Sequence, residues 1–249
     1  MRAARGCCCI APGVRMTRVT GVDACRAGWV AVTKYTRTGN ISWALHTTIQ
    51  ELLRAQPVPA VFAIDIPIGL LRSGVRECDV EVRALLGKPR SSSVFPVPVR
   101  AVLRARSYPA ACAVSIGVEG KKITKQAWSI VPNVRTVDAA LRSSGPLAER
   151  VYEVHPELSF MQMAGGRAMK DSKTTAAGLG ARRRLLAKHY APWLTQALAD
   201  RRTLGSTEDD VLDAFAALWT AERIAAKEHL RVPARLQRDE YGLRIQINA

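Results

Sequence analysis

Four aspartates, Asp23, Asp65, Asp210 and Asp213, stand where a two-metal phosphodiester hydrolase needs its carboxylates. Asp23 ends the apolar run Val19-Thr20-Gly21-Val22, and Asp65 ends a second run, Val61-Phe62-Ala63-Ile64. Asp210 and Asp213 lie three apart in Asp209-Asp210-Val211-Leu212-Asp213-Ala214-Phe215, a helical pattern. Metal-assisted hydrolysis uses two cations about 3.5–4 Å apart, one to generate the nucleophile and one to stabilise the leaving oxygen. Mg²⁺ and Mn²⁺ are the expected ions, since hard cations take carboxylate oxygens and leave positions open for water and phosphate. Residues at i and i+3 share a helix face, so the helical pair can meet carboxylates at the ends of adjacent strands. Asp competes for backbone groups and is a poor helix-interior residue, so Asp213 asks for a reason to be there. Glu208 and Asp209 ask for none, because acidic groups suit the positive end of a helix. Asp23 and Asp65 also have a plain alternative, as aspartate is common before turns. Glu153 is a further candidate ligand, whereas His155 reads as a packed histidine.

The charge balance fits a polyanionic substrate. Lys and Arg number 37 against 21 Asp and Glu, a formal charge of +16. Such an excess favours nucleic acid, DNA or RNA, or an anionic surface, and says nothing about fold. Arg90 and Arg100, with Ser91, Ser92 and Ser93, are candidate phosphate contacts. The competing reading of that stretch is a proline-rich loop held by Phe95. Lys173, Arg182 and Arg183, followed by Arg184, form a basic run ahead of the acidic helix; as contacts they would guide nucleic acid, and as a plain charge run they would be a solvated face.

The elements that must position these residues follow from local patterning. Val19–Asp23, Trp29–Tyr35 and Ile41–Leu45 read as three strands joined by turns, and Thr47 or Thr48 caps a helix running to Ala55. Ala60–Asp65 is a continuous apolar run, the pattern of a strand covered on both faces. Val19–Asp23 and Ala60–Asp65 are therefore expected to be adjacent and parallel at the centre of one sheet, joined through a helix-containing crossover. Residues 67–148 read as an insertion, with a helix over Glu77–Leu86, an irregular stretch at Pro89–Pro98 and helical pieces at Tyr108–Ile116 and Lys121–Val131. Val151–His155 restores a strand. Residues 165–202 look basic and mobile. A last long helix runs from about Glu208 to Lys227, capped by Ser206 or Thr207, with Val211, Leu212, Phe215, Leu218 and Trp219 on its core face.

A chain of 249 residues with 48% hydrophobic content can bury a full core. No run approaches the ~18 apolar residues of a membrane span. Cys7, Cys8 and Cys9 are adjacent and Cys25, Cys78 and Cys112 are scattered, a usage that implies reduced thiols and a soluble, cytoplasmic protein. Residues 1–17 read as a disordered tail ahead of one domain over 18–249, and Met16 is a plausible alternative start. A homodimer is left open, and no membrane partner is expected.

Five segments carry a family resemblance: Gly-Val-Asp-Ala-Cys-Arg-Ala-Gly-Trp-Val at 21–30, Ala-Ile-Asp-Ile-Pro-Ile-Gly-Leu at 63–70, Ser-Ser-Val-Phe-Pro-Val-Pro-Val-Arg at 92–100, Glu-Val-His-Pro-Glu-Leu-Ser-Phe at 153–160 and Asp-Asp-Val-Leu-Asp-Ala at 209–214. Together, and in this order, they resemble the bacterial and archaeal family of predicted ribonuclease H-like nucleases, domain of unknown function 429. The resemblance implies a ribonuclease H-like α/β fold similar to Holliday-junction resolvases, with three antiparallel strands followed by parallel ones. It also implies that Asp23, Asp65, Asp210 and Asp213 hold the metal; resolvases of that type often carry Glu in place of Asp65. Two other functions fit parts of the pattern. One is a nucleotide phosphotransferase or ATPase of actin-like fold, against which stands Ile-Pro-Ile after Asp65 instead of a second glycine-rich phosphate loop. The other is a nucleic-acid-binding module without catalysis.

Overall fold

The computed structural model describes residues 18–249, so the expected tail at 1–17 and the Cys7–Cys9 triplet lie outside the described residues. Strand β1 (Arg18–Cys25) turns back through β2 (Gly28–Tyr35) and β3 (Ile41–His46), and helix α1 (Ile49–Arg54) then returns the chain to β4 (Val61–Ile64). Thr48 caps α1 by accepting from the Glu51 amide, which satisfies one of the donors left open at a helix start. The sheet has seven strands in the order β3-β2-β1-β4-β5-β7-β6. β1–β2 and β2–β3 are antiparallel, while β4 runs parallel to β1, and β5 (Val151–Val154) parallel to β4. This mixed sheet, antiparallel at one side and parallel at its centre, is consistent with a ribonuclease H-like arrangement. β7 (Arg244–Asn248) adds a further parallel strand beside β5, and β6 (Arg231–Arg238) forms the outer edge antiparallel to it. The register of β6 slips between Val232 and Gln237 around Pro233.

The two faces of the sheet carry different cores, and strand periodicity decides which residue joins which. Val22, Phe62, Ile64 and Val151 pack with α1 and with the helices of the 65–150 connection. Val19, Val61, Ala63 and Val154 pack on the opposite side with α6 (Ala176–Asp200) and α7 (Glu208–Ala226). Side chains alternate across a strand, so Asp23 follows Val19 and Gly21 onto the α7 face, and Asp65 follows Val61 and Ala63. Val19 is paired with Val61 and Gly21 with Ala63. The Asp65 amide continues the ladder by donating to the Val22 carbonyl at 3.0 Å. Both aspartates therefore stand on one face, just past the point where the parallel pairing of β1 and β4 ends.

Helix α7 is buried on nearly every side, and small residues let it reach the sheet. Ala214, Ala217 and Ala221 are fully buried along it. A methyl group built on Gly21 would lie 2.0 Å from the Leu218 amide nitrogen and 2.4 Å from the Ala214 carbonyl oxygen. On its outer side α7 packs against α6, where the Tyr190 and Phe215 rings meet at a tilt of 51° with centroids 5.5 Å apart. It also meets α5 (Pro156–Met163), where Ser159 and Thr220 share a buried hydrogen bond of 2.8 Å.

The connection between β4 and β5 contains α2 (Glu77–Leu86), a 3-10 turn at Arg90–Ser93, another at Arg100–Arg104, α3 (Tyr108–Glu119) and α4 (Lys125–Ser143). α4 runs through Pro132 and so is longer than its sequence suggested, since the burial of Val131, Val134, Val137 and Leu141 along one face outweighs the missing proline donor. Residues 176–200 are a correction to the expected mobile stretch. They form α6, bent where Tyr190 leaves helical geometry ahead of Pro192, with Leu186, Tyr190, Leu194 and Ala197 buried. The basic residues of this segment hid an amphipathic helix interrupted by that bend.

Substituting Gly21 by Ala should destabilise the protein by about 3 kcal/mol or more, because the new methyl meets backbone that cannot rotate away. Urea unfolding measures this, and a change under 1 kcal/mol would mean that α7 can lift from the sheet at little cost.

Candidate metal centre and its cavity

Three carboxylates, Asp23, Asp65 and Asp213, lie near the strand ends, close enough for their charges to act on one another. Asp23 is 8% exposed and Asp213 only 2%, and Asp65 is half-buried between them and Glu153. The Asp23 carboxylate accepts from the Ala24 amide at 2.8 Å. Burial first, and then the charges of Asp65 and Asp213, push Asp23 well above the usual carboxylate range. Asp65 is raised for the same reasons, with burial ahead of Asp213. Asp213 is pushed up to about 6, chiefly by burial; Lys173 opposes the shift, and Asp209 and Glu157 add to it. Acids that raise one another through space form one electrostatic unit.

Lys173 sits within this unit. Its ammonium donates to Asp213 at 2.7 Å and reaches Asp209 at 2.8 Å. Burial alone would lower its pKa, but Asp213 and then Asp209 hold it charged, well above the ordinary lysine value. Asp209 thus faces the site, a role that its position in the first helical turn concealed. Asp209 and Asp213 are four apart, and so share a face of α7 just as Asp210 and Asp213 do. Asp210 accepts from the Thr207 amide at 2.7 Å and completes a capping box with the Thr207 hydroxyl, while its charge still raises Asp23. The sequence spacing could not separate these two partners of Asp213.

The loop carrying Lys173 is fastened from beneath. Arg182 is fully buried. Its guanidinium pairs with Glu157 on α5 and donates to the carbonyls of Asp171 at 3.1 Å and Gly178 at 3.0 Å. This corrects its assignment as a nucleic-acid contact, because a guanidinium with no exposed surface cannot reach a phosphate. A methyl on Gly178 would lie 1.9 Å from the Ser172 carbonyl oxygen, so the start of α6 abuts the same loop. Arg183 and Arg184 do lie on the surface, and Arg183 pairs with Glu208.

Glu153 and Arg100 are also committed to structural partners. Glu153 faces Arg76 with oxygens 2.7 and 2.8 Å from the guanidinium nitrogens, and also accepts from the Ile68 amide at 2.7 Å. Arg76 in turn holds Asp79 at 2.5 Å. Both Glu153 oxygens accept hydrogen bonds, so in this arrangement Glu153, expected as a further metal ligand, serves the Arg76 ion pair at the edge of the cavity. Arg100 forms a two-pronged bond to Asp138 at 2.8 and 2.9 Å and pairs with Asp239, joining the β4–β5 connection to the β6–β7 turn. That pairing takes Arg100 away from phosphate contact as well.

Arg90 differs. It borders the cavity with no ion pair among those of the described residues, and its buried Nε has no hydrogen-bond partner. The cavity, of about 420 Å³, runs from Asp65, Asp213 and Lys173 past His155 to Ser92, Phe95, Val97 and Ile130. His155 has Nε2 at 3.4 Å from the Ser93 carbonyl and an unpaired buried Nδ1, and burial lowers its pKa.

The carboxylates suit a divalent cation. Oδ1 of Asp209 and Oδ1 of Asp213 are buried without a hydrogen-bond partner, an arrangement that costs free energy unless a cation completes it. Among the described residues no three Asp, Glu, His or Cys side chains are already gathered around a single point. The Lys173 ammonium is the cation that the acids hold in this arrangement.

Fold and site together describe an α/β protein with an acidic centre at the ends of its central parallel strands. The chain belongs to the family described as Protein of unknown function (DUF429), whose model matches residues 21–238. No curated protein and no solved structure matches it. No helix among the described residues is long and apolar enough to cross a membrane, and Cys25, Cys78 and Cys112 are free thiols.

Asp213 holds its proton more tightly when folded than in the unfolded chain, so its contribution to stability is full below about pH 4 and is lost as the pH rises through about 6. Without metal, wild-type stability should therefore fall across that window by on the order of 3 kcal/mol from this group, and Asp213→Asn should flatten the profile. Urea midpoints at pH 4.5 and 7.5 decide it; parallel profiles for the two proteins would contradict the coupling. Arg182→Ala should cost about 3–5 kcal/mol, the penalty for stranding Glu157 in the interior, and an unchanged midpoint would contradict that account.

Proposed function

We propose that this protein is a metal-dependent hydrolase of nucleic-acid phosphodiester bonds. The observation that carries the proposal is that Asp23, Asp65 and Asp213 lie within electrostatic reach of one another beside the central parallel strands, each raised by burial and by neighbouring acids. Ligands of open α/β sheets bind at the carboxyl ends of their strands, and mutually perturbed carboxylates in a cavity mark a functional site. Asp23, Asp65 and Asp213 would hold Mg²⁺ or Mn²⁺, with Asp209 and Asp210 adjoining from the first turn of α7. The chemistry such ions supply is a nucleophilic water at neutral pH and stabilisation of the leaving oxygen. The formal charge of +16 supports a polyanionic substrate.

The chain's own groups have separable tasks. Asp23 and Asp65 are fixed in the backbone by strand pairing, and Asp213 by the packing of α7 on Gly21, so a ligand would have only side-chain rotations left to organise. Lys173 neutralises Asp209 and Asp213 when no other cation does. With an anionic substrate in the cavity, the same ammonium is within the site to meet a phosphoryl oxygen.

Asp23→Asn and Asp213→Asn should each reduce Mg²⁺- or Mn²⁺-dependent cleavage of DNA or RNA at least 100-fold, while circular dichroism stays at wild type. Mn²⁺ titration calorimetry should weaken in parallel. Wild-type metal affinity in both variants would make these carboxylates structural and the proposal wrong. Metal-dependent turnover also distinguishes an active enzyme from a module that only binds nucleic acid.

A further inference from the structure

The cavity extends well beyond the carboxylates, and its far half has a different chemistry. A phosphodiester cutter that works on the outside of a duplex needs only an open acidic ledge. Here the β4–β5 connection raises a wall over that ledge, built from the turn at Arg90–Ser93, the segment through Phe95 and Val97, and Ile130 of α4. Arg83 steadies this wall by donating to the Val94 carbonyl, and His155 contacts the Ser93 carbonyl at 3.4 Å. The enclosed volume of about 420 Å³ falls in the range of small-ligand pockets. A double helix, whose major groove alone is about 12 Å wide, cannot enter it.

We infer that this recess receives one unpaired nucleotide of the substrate, with its phosphate on Arg90 and its base against Phe95, Val97 and Ile130. Resting on the hydrolase reading, the inference narrows the substrate class to single-stranded or locally unpaired nucleic acid. Arg90 supplies the anion contact: it is partly exposed on the cavity wall, makes no ion pair with a carboxylate among the described residues, and its Nε lacks an acceptor. Guanidinium groups left in that condition match phosphate oxygens in both charge and geometry. Phe95, Val97 and Ile130 are half-buried apolar groups beside it. An apolar wall next to a cationic anchor suits a base, whose flat face stacks without regard to sequence. Gln126, exposed at the rim, is placed to read a base edge through its amide.

The division of labour leads to a test that does not need turnover. Full-length protein is titrated, without metal, with a nucleoside 5′-monophosphate, the matching nucleoside, a single-stranded oligonucleotide and the same oligonucleotide in a blunt duplex. The single strand is expected to bind at least ten-fold more tightly than the duplex. Arg90→Ala should weaken the monophosphate about ten-fold or more and leave the nucleoside unchanged, because only the phosphate contact is lost. Phe95→Ala should weaken both monophosphate and nucleoside by about five-fold or more, the loss of one stacking surface. Arg90 makes no ion pair to break, so its variant should keep the wild-type melting temperature; Arg90→Lys should restore part of the monophosphate affinity and controls for folding.

Equal affinity for single strand and duplex, or monophosphate binding that Arg90→Ala leaves untouched, overturns the inference. Asp213→Asn separates it from the hydrolase proposal. Nucleotide binding that persists in wild type and Asp213→Asn, with no metal-dependent cleavage of any nucleic acid by wild type, would support the recess and sink the hydrolase reading. Cleavage of duplex and single strand at equal rates, with the monophosphate unbound, would do the reverse.

Discussion

The arrangement depends on how closely one helix approaches one strand. α7 can bring Asp213 to the strand ends only because Gly21 presents no side chain to it, and Ala214 and Ala217 add little bulk of their own. Close packing of small residues fixes the helix in depth and rotation together, since an interior at crystal-like density transmits a displacement instead of absorbing it. Strand pairing fixes the other two acids. Asp23 and Asp65 share a face because Val19 pairs with Val61 and Gly21 with Ala63, and a one-residue slip would send either carboxylate to the other core. The acidic centre is thus a product of backbone packing more than of side-chain hydrogen bonding.

Around this rigid centre, buried ion pairs fasten the irregular segments. Arg182 with Glu157 anchors the Lys173 loop, Arg76 with Asp79 and Glu153 anchors the chain leaving β4, and Arg100 with Asp138 and Asp239 ties the β4–β5 connection to the β6–β7 turn. Such pairs add little net stability relative to apolar packing, but breaking one partner is costly. Their effect is to give loops a single geometry where hydrophobic contact alone would leave several.

The strands around Asp23 and Asp65, the helices at 49–54 and 77–86, and the long helix bearing Asp213 were legible because each has an unbroken local pattern with a recognisable cap or turn. α6 was not, because Pro192 and the surface arginines disguise its buried stripe of Leu186, Tyr190 and Leu194. Charge was the least readable signal. Arg182, Arg100 and Glu153 look like surface or site residues, yet each is claimed by a partner far along the chain: Glu157, Asp239 and Arg76 respectively. Spacing cannot reveal pairing between residues separated by 77 or 139 positions. Nor could it show that Asp209 turns to Lys173 while Asp210 caps its own helix, for both choices satisfy helical periodicity.

Strand β6 has a bearing on association. An open sheet edge is a template on which another chain can add a strand, and long flat apolar edges seed aggregation. β6 carries Arg231, Arg235 and Arg238, contains Pro233 and loses regular pairing between Val232 and Gln237. A second copy laid along it would meet like charges, a missing amide donor and a backbone out of step. Growth of the sheet by addition at this edge is therefore disfavoured at each of three levels, and a protein with an otherwise extended sheet can be concentrated without polymerising through it.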